Sequence, residues 1–216
     1  LFSCEITPPK RGGGRKGIIA KIDKLSKYNP PFIHVTSRAA ERDENERPIK
    51  RKRPGTLGLC TTIKEKYKID AVCHVLCRGF YQHETEDLLV DLDYGELNNV
   101  LAIRGDERYG RNISNGNDVN HYASDLVAQI RNMNNGLYLG GEKLEPTDFC
   151  IGVAGYPETH SESRSSIHDL ENLKIKVDSG ADYIITQMCY NNEAIFRFLD
   201  SCQDIGINVP IIPGLK

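Results

Sequence analysis

Arg104, Gly105 and Asp106 terminate an apolar run that begins at Asn99, so a cation and an anion close a stretch of Val, Leu, Ala and Ile. A run this short and this rich in aliphatic residues reads as a buried strand. Alternate strand residues share a face, which puts Ala102, Arg104 and Asp106 on one side and Leu101 and Ile103 on the other. The two charges then stand together at the strand's C-terminal end, with Gly105 leaving room for a ligand to approach the backbone. A turn with a surface ion pair is the alternative that the tripeptide alone leaves open. Glu5 is a second candidate, an acid inside a short strand that shares a face with Ser3 and Thr7 and is closed by Pro8 and Pro9. Burial can keep a carboxylic acid protonated at a strand mouth, which is what a general acid requires. A carboxylate paired with a nearby Arg or Lys is the structural alternative.

Other apolar runs also carry a polar group near their C-terminal ends. Thr36 closes the run 32–36, His74 lies in 71–77, Tyr156 closes 149–156 and Gln187 closes 183–187. A hydrogen-bonded core histidine and a satisfied amide are the plain alternatives for His74 and Gln187. Two patterns are rejected. Cys73, His74 and Cys77 match no zinc spacing and have no second pair, so no metal is expected. The loop Arg11-Gly12-Gly13-Gly14-Arg15 has neither the Walker lysine pattern nor the dinucleotide glycine spacing, and reads as a solvated loop.

The elements that must position these groups alternate along the chain. Ile18, Ile19, Ile22 and Leu25 recur at helical spacing until Pro30 and Pro31. Helices are predicted over 56–66 and 84–93. Asp118 is read as the cap of a helix carrying Leu126, Val127, Ile130 and Met133, with Tyr122 and Ala123 in its first turns. Ile167, Leu170, Leu173 and Val177 form the apolar face of the next helix, stopped at Gly180, and Ile195, Phe198, Leu199 and Cys202 that of the last. A seventh strand begins within 209–215. The nearly all-charged segment 38–53 is expected to be an exposed, mobile loop, and the polar loop 107–117 is long enough to be functional.

A chain of 216 residues with 39% hydrophobic content can bury a core and is most simply one domain. A net charge of −2 gives no electrostatic case for nucleic acid or an acidic membrane. No apolar run approaches bilayer length and no signal peptide is visible, so a soluble, cytoplasmic protein is expected. Seven scattered cysteines, mostly in apolar runs, suit reduced thiols. Strict alternation of strand and helix means parallel strands with helices outside. An open doubly wound sheet would gather its functional groups at one switch point, whereas a closed barrel collects them from several strand ends around one mouth. The spread from Glu5 to Gln187 favours an α/β fold of the (β/α)8 TIM-barrel type. Eight strands take about 250 residues, so the last strand and helix are expected to be missing from a single barrel domain spanning 1–216, incomplete at its C-terminus.

Several motifs resemble those of the 5,10-methylenetetrahydrofolate reductase family. They are Ser3-Cys4-Glu5-Ile6-Thr7-Pro8-Pro9, Arg104-Gly105-Asp106, Tyr122-Ala123-Ser124-Asp125-Leu126-Val127, Gly152-Val153-Ala154-Gly155-Tyr156-Pro157-Glu158, the run from Asp169 through Asn172 to Lys176, and Thr186-Gln187. They fall in the family's order over nearly the whole chain. The resemblance implies a flavoprotein oxidoreductase that holds FAD noncovalently and takes hydride from NADH or NADPH. It would reduce 5,10-methylenetetrahydrofolate to 5-methyltetrahydrofolate, supplying methyl groups for methionine synthesis in one-carbon metabolism, and would work as a homo-oligomer. Residue by residue, it implies Glu5 as general acid and Asp106 beside flavin and pterin, with Gln187 contacting the folate. Around FAD it implies Thr36, His74, Arg104, Gly105, Asp106, Tyr122, Ala123, Tyr156, His160, Asp169, Asn172 and Lys176.

The chain departs from the family pattern at Ile6 and Thr7, and at Met188 and Cys189, where aromatics are usual, and in its charged run after Thr36. The implied chemistry agrees with the residues: opening the folate's five-membered ring needs a proton on the leaving nitrogen, and Glu5 is placed to give it. Asp169, Asn172 and Lys176, at i, i+3 and i+7, share a helix face beside the apolar stripe and can lean toward the mouth, Lys176 to a phosphate and Asp169 to a ribose hydroxyl. A solvated face is the alternative there. For the whole chain the alternatives are another FAD-dependent barrel resembling proline dehydrogenase, a barrel binding a phosphate-bearing ligand without flavin, and a non-catalytic flavin-binding subunit.

Overall fold

The structure, a computed structural model, describes residues 2–38, 41–42, 48–50, 55–105, 118–141 and 143–215, with 41–42 and 48–50 given as backbone only. The main elements are β1 (Cys4–Ile6), α1 (Arg15–Leu25), β2 (Phe32–Val35), β3 (Glu41–Arg42), β4 (Pro48–Lys50), α2 (Thr56–Thr62), β5 (Asp70–Leu76), α3 (Gln82–Tyr94), β6 (Asn99–Ile103), α4 (Ala123–Asn134), β7 (Cys150–Gly155), α5 (Ser166–Asp178), β8 (Tyr183–Thr186), α6 (Asn192–Asp204) and β9 (Ile211–Ile212). Seven strands pair in parallel in the order β1-β2-β5-β6-β7-β8-β9. Chain order and sheet order coincide, with a helix on every crossover, as a curled α/β barrel sheet requires. The architecture is a partial barrel: among the described residues seven strands form the sheet, and β1 and β9 are its two edges.

The period-two pattern of the strands sorts their side chains into two layers. Ile33, Val35, Cys73, Val75, Val100, Ala102, Ile151, Val153 and Ile184 join Ile22, Leu89, Leu92, Leu126, Ile130 and Leu173 of the helices in one core. Burying each large aliphatic of this layer contributes about 1.5–3 kcal/mol. The opposite parity, with Glu5, His34, Val72, His74 and Leu101, forms the inner face of the sheet. His74 is therefore on the face opposite Cys73 and Cys77, as alternation requires.

Gly152 on that inner face has a steric reason. A Cβ there would lie 2.3 Å from Cζ of Tyr183, its register partner on β8, whose ring crosses the space.

Two expectations are corrected, and the seventh strand expected within 209–215 is found there. The helix after residue 117 starts at Ala123, not at Asp118: Asp125 supplies the cap, its carboxylate accepting from the N–H groups of His121 at 3.0 Å and Tyr122 at 2.9 Å. Asp118 instead offers its carbonyl to Gln82 N–H at 2.7 Å. The charged segment contains an antiparallel pair, β3 with β4, rather than loop throughout. The seventh strand of the sheet is only Ile211–Ile212, much shorter than the 209–215 run, which carries Pro210 and Pro213. No helix among the described residues is long and apolar enough to cross a membrane.

Candidate active site

The strand ends assemble the candidate residues into two groups. The first lies on the inner face. Glu5, the middle residue of β1, is exposed, with 60% of its side chain accessible, and lies directly opposite His34 in the β1–β2 register. His74 Nε2 lies 3.3 Å from His34 Nδ1 and 3.9 Å from Glu5 Oε2. Both histidines are 4% exposed. Burial pulls His34 down to about 4, and burial with the neighbouring His34 pulls His74 down to about 3, so both rings are neutral near pH 7. The Glu5–His74 approach is thus no ion pair at that pH. Partial burial raises Glu5 above the ordinary carboxylate range, against the opposing field of Arg38.

The second group occupies the rim between β6, β7 and α5. Arg104 follows β6 with the parity of Val100 and Ala102, so it turns toward the helices. Its guanidinium lies 5.5 Å from the centroid of the Tyr122 ring, and Nη1 donates to Glu162 at 2.7 Å. The Arg104 carbonyl accepts from Arg78 N–H at 3.0 Å, which carries the β5–β6 ladder past the strand end. Gly105 follows at φ 84°, a left-handed conformation that favours glycine, with no crowding of the site a Cβ would take. Glu162 N–H donates to His160 Nδ1 at 3.1 Å, linking Arg104 to the loop after β7.

In that loop the His160 ring stands edge-on to Tyr156 at 4.5 Å, and its backbone N–H donates to Asp169 Oδ2 at 3.0 Å. Lys176 is half-buried along its stem with its ammonium end deep in the protein. Nζ donates to the Ala154 carbonyl at 2.6 Å and lies 5.9 Å from the Tyr156 ring centroid. Burial pulls this amine down to about 8, against the opposing carboxylate of Asp169.

The remaining candidates are less engaged. Ala123 begins α4. Thr36 N–H donates to the Ile6 carbonyl at 2.9 Å and its Oγ1 is buried without a partner among the described residues. Gln187 is exposed just past β8, its N–H donating to the Gly155 carbonyl at 2.8 Å, and Asn172 is exposed on α5. Asp106 lies outside the described residues. Two members of the site escaped the reading of the sequence: His34, legible as the one polar residue inside the apolar run 32–35, and Glu162, which carries no signal of its own in a polar loop.

Buried polar atoms without a partner stand past two of the strand ends. Arg104 Nε and Thr36 Oγ1 are both buried and unpaired among the described residues, and a native fold rarely strands such groups without a ligand or water to meet them. An ammonium at the end of β7, a guanidinium past β6 and a hydroxyl past β2 suit an acceptor-rich ligand bearing phosphate and ribose.

The sequence model described as methylenetetrahydrofolate reductase matches residues 1–216. The chain is 34% identical over 215 residues to 5,10-methylenetetrahydrofolate reductase of Escherichia coli strain K12, covering 99% of this chain and 63% of that protein. It is 32% identical over 215 residues to methylenetetrahydrofolate reductase 1 of Schizosaccharomyces pombe, covering 99% of this chain and 32% of that one. It thus spans between about a third and just under two thirds of these relatives. A Clostridium thermocellum protein that binds two copies of 5-methyl-5,6,7,8-tetrahydrofolic acid superposes with a TM-score of 0.58 at 19% identity, over 99% of this chain and 64% of that one. A 2,3-dimethylmalate lyase of the PEP mutase/isocitrate lyase superfamily superposes at 0.56 with 10% identity, over 98% and 65%. These two likenesses speak for the fold. Motifs, strand order and the family match over residues 1–216 together establish that this chain belongs to the methylenetetrahydrofolate reductase family.

Proposed function

We propose that this chain forms the catalytic barrel of a flavin-dependent reductase that converts 5,10-methylenetetrahydrofolate to 5-methyltetrahydrofolate with hydride from NADH or NADPH. The observation that carries the reading is the inner-face acid. Glu5 is held above the ordinary carboxylate range by burial, and the histidine nearest it is neutral. The direction of that shift favours the protonated form that a general acid needs. Glu5 gives that proton to the folate nitrogen that leaves when the five-membered ring opens, and the adjoining carbon is left able to accept hydride.

FAD, when bound, supplies the two-electron relay between nicotinamide and folate. The unpaired donors of Thr36 and Arg104 and the deep ammonium of Lys176 fit such a dinucleotide. Lys176 and Arg104 balance phosphate charge, Asp169 accepts from a ribose hydroxyl, and Tyr122 and Tyr156 present apolar ring surface. His74, Gly105, Ala123, His160 and Asn172 complete its surroundings, and Asp106 and Gln187 meet the pterin. The product feeds methionine synthesis. The 5-methyltetrahydrofolate bound by the Clostridium thermocellum neighbour is the product expected here and supports the folate class.

The test is spectroscopic. The full-length protein should purify with visible flavin absorption, bleach anaerobically on adding NADH or NADPH, and recover on adding methylenetetrahydrofolate with formation of 5-methyltetrahydrofolate. A colourless protein that takes up no FAD would overturn the reading.

A further inference from the structure

His34 is the buried group that this chemistry leaves unused. It sits opposite Glu5 in the register, and its Nδ1 is 3.3 Å from the same His74 Nε2 that lies 3.9 Å from Glu5 Oε2. A neutral imidazole has one N–H and one bare nitrogen, so the contact between the rings has two solutions. If His74 donates, His34 carries its proton on Nε2, and that atom is buried with no partner among the described residues. A stranded buried N–H is what folded proteins avoid most strictly. If His34 donates from Nδ1, its Nε2 is bare, so the unpartnered buried atom is an acceptor rather than an N–H, and His74 keeps its own proton on Nδ1.

Resting on the proposed function, we infer that His34 is a positioning residue for the acid: by donating from Nδ1 it fixes His74 as the Nδ1–H tautomer, so Glu5 faces an occupied lone pair rather than an N–H donor. Among the described residues the groups facing this trio are few. β1 and β2 bring Glu5, His34 and, just past β2, Arg38; β5 brings His74; β6 sets Leu101 beside His74. Arg38 favours the ionised form of Glu5, and no N–H from His74 adds to it while His34 holds that nitrogen. Remove the His34 donor and His74 is free to turn an Nε2–H on the carboxylate. That contact stabilises the ionised acid and moves its titration to lower pH.

Two arms test this. Nitrogen-15 NMR of the histidine side chains in the unmodified protein should show His74 protonated on Nδ1 and bare on Nε2; the Nε2–H tautomer would overturn the inference. In His34→Leu, the limb for loss of the acid in flavin reoxidation by methylenetetrahydrofolate should move down by about one pH unit, a tenfold slower reoxidation above the limb. Flavin content and reduction by NADH or NADPH should stay within about twofold. His34→Asn, whose side-chain N–H takes the place of Nδ1–H, should restore the limb. An unmoved limb in the leucine variant, or no restoration by asparagine, contradicts the inference. If the unmodified holoenzyme is not reoxidised by the folate, the proposed function fails on its own, and the NMR arm still decides the His34 arrangement, as it does if the leucine variant does not fold.

Discussion

Lys176 reaches from α5 to the end of β7, where its Nζ donates to the Ala154 carbonyl at 2.6 Å. One carbonyl serves a group with three N–H donors, and the ammonium lies 5.9 Å from the Tyr156 ring centroid. Lys176→Met keeps the stem and removes the charge. A hydrogen bond to a charged group contributes about 1.5–3 kcal/mol, so FAD affinity should fall by roughly 10- to 100-fold. Flavin content after gel filtration, measured at low and raised salt, checks this; unchanged retention at both would remove Lys176 from the cofactor site.

The buried histidines make stability depend on pH. His34 at about 4 and His74 at about 3 both lie below the ordinary histidine value. Between those values and about 6.5 the unfolded chain holds the extra protons, so stability is full above about 6.5 and is lost as pH falls. Each ring accounts for up to about 1.4 kcal/mol per pH unit in that window, while the raised Glu5 acts in the opposite sense near its own titration. Urea unfolding at about pH 7 and about pH 5 should show a drop that is smaller in His34→Asn by about one proton's worth. Equal drops in the two proteins would contradict the burial of a neutral His34.

Much of this arrangement was legible in the chain. Alternating periodicities specify parallel strands and outer helices, because a strand buried on both faces and a helix buried on one leave different apolar patterns. Glu5 and His74 stood out as polar residues within apolar runs. The start of α4 differs because residue type alone marks Asp118 as a cap, whereas the helix takes Tyr122 as its N-cap and Asp125, three residues on, accepts from the backbone ahead of it. The β3–β4 pair was missed because strands of two and three residues carry too little pattern within a charged run. His34 was passed over because its role comes from its neighbours on β1 and β5, a relation that register alone reveals. The unpaired Nε of Arg104 likewise has no expression in sequence.

Gly152 gives a packing prediction. A methyl group there would meet Tyr183 at 2.3 Å from Cζ and 2.6 Å from Oη, and the ring must swing away from its 3.5 Å contact with the Val100 carbonyl. Gly152→Ala should cost about 1–3 kcal/mol, the usual range for overpacking. Adding Tyr183→Leu should recover part of that loss, since the two changes share one space. Thermal unfolding of the single and double variants measures the coupling; strict additivity would mean that the ring does not fill the space above Gly152.

The central claim is that Glu5 is the acid that opens the folate ring, and it separates the two half-reactions. Reduction of bound flavin by NADH or NADPH asks for no proton on a leaving nitrogen, whereas the folate step does. Glu5→Gln keeps the shape and removes the proton. Stopped-flow absorbance of the bound flavin should show reduction at a near-normal rate and reoxidation by methylenetetrahydrofolate slowed at least about 100-fold, the lower end for a lost general acid. Reoxidation within a few-fold of the unmodified protein would contradict the assignment and turn attention to Asp106.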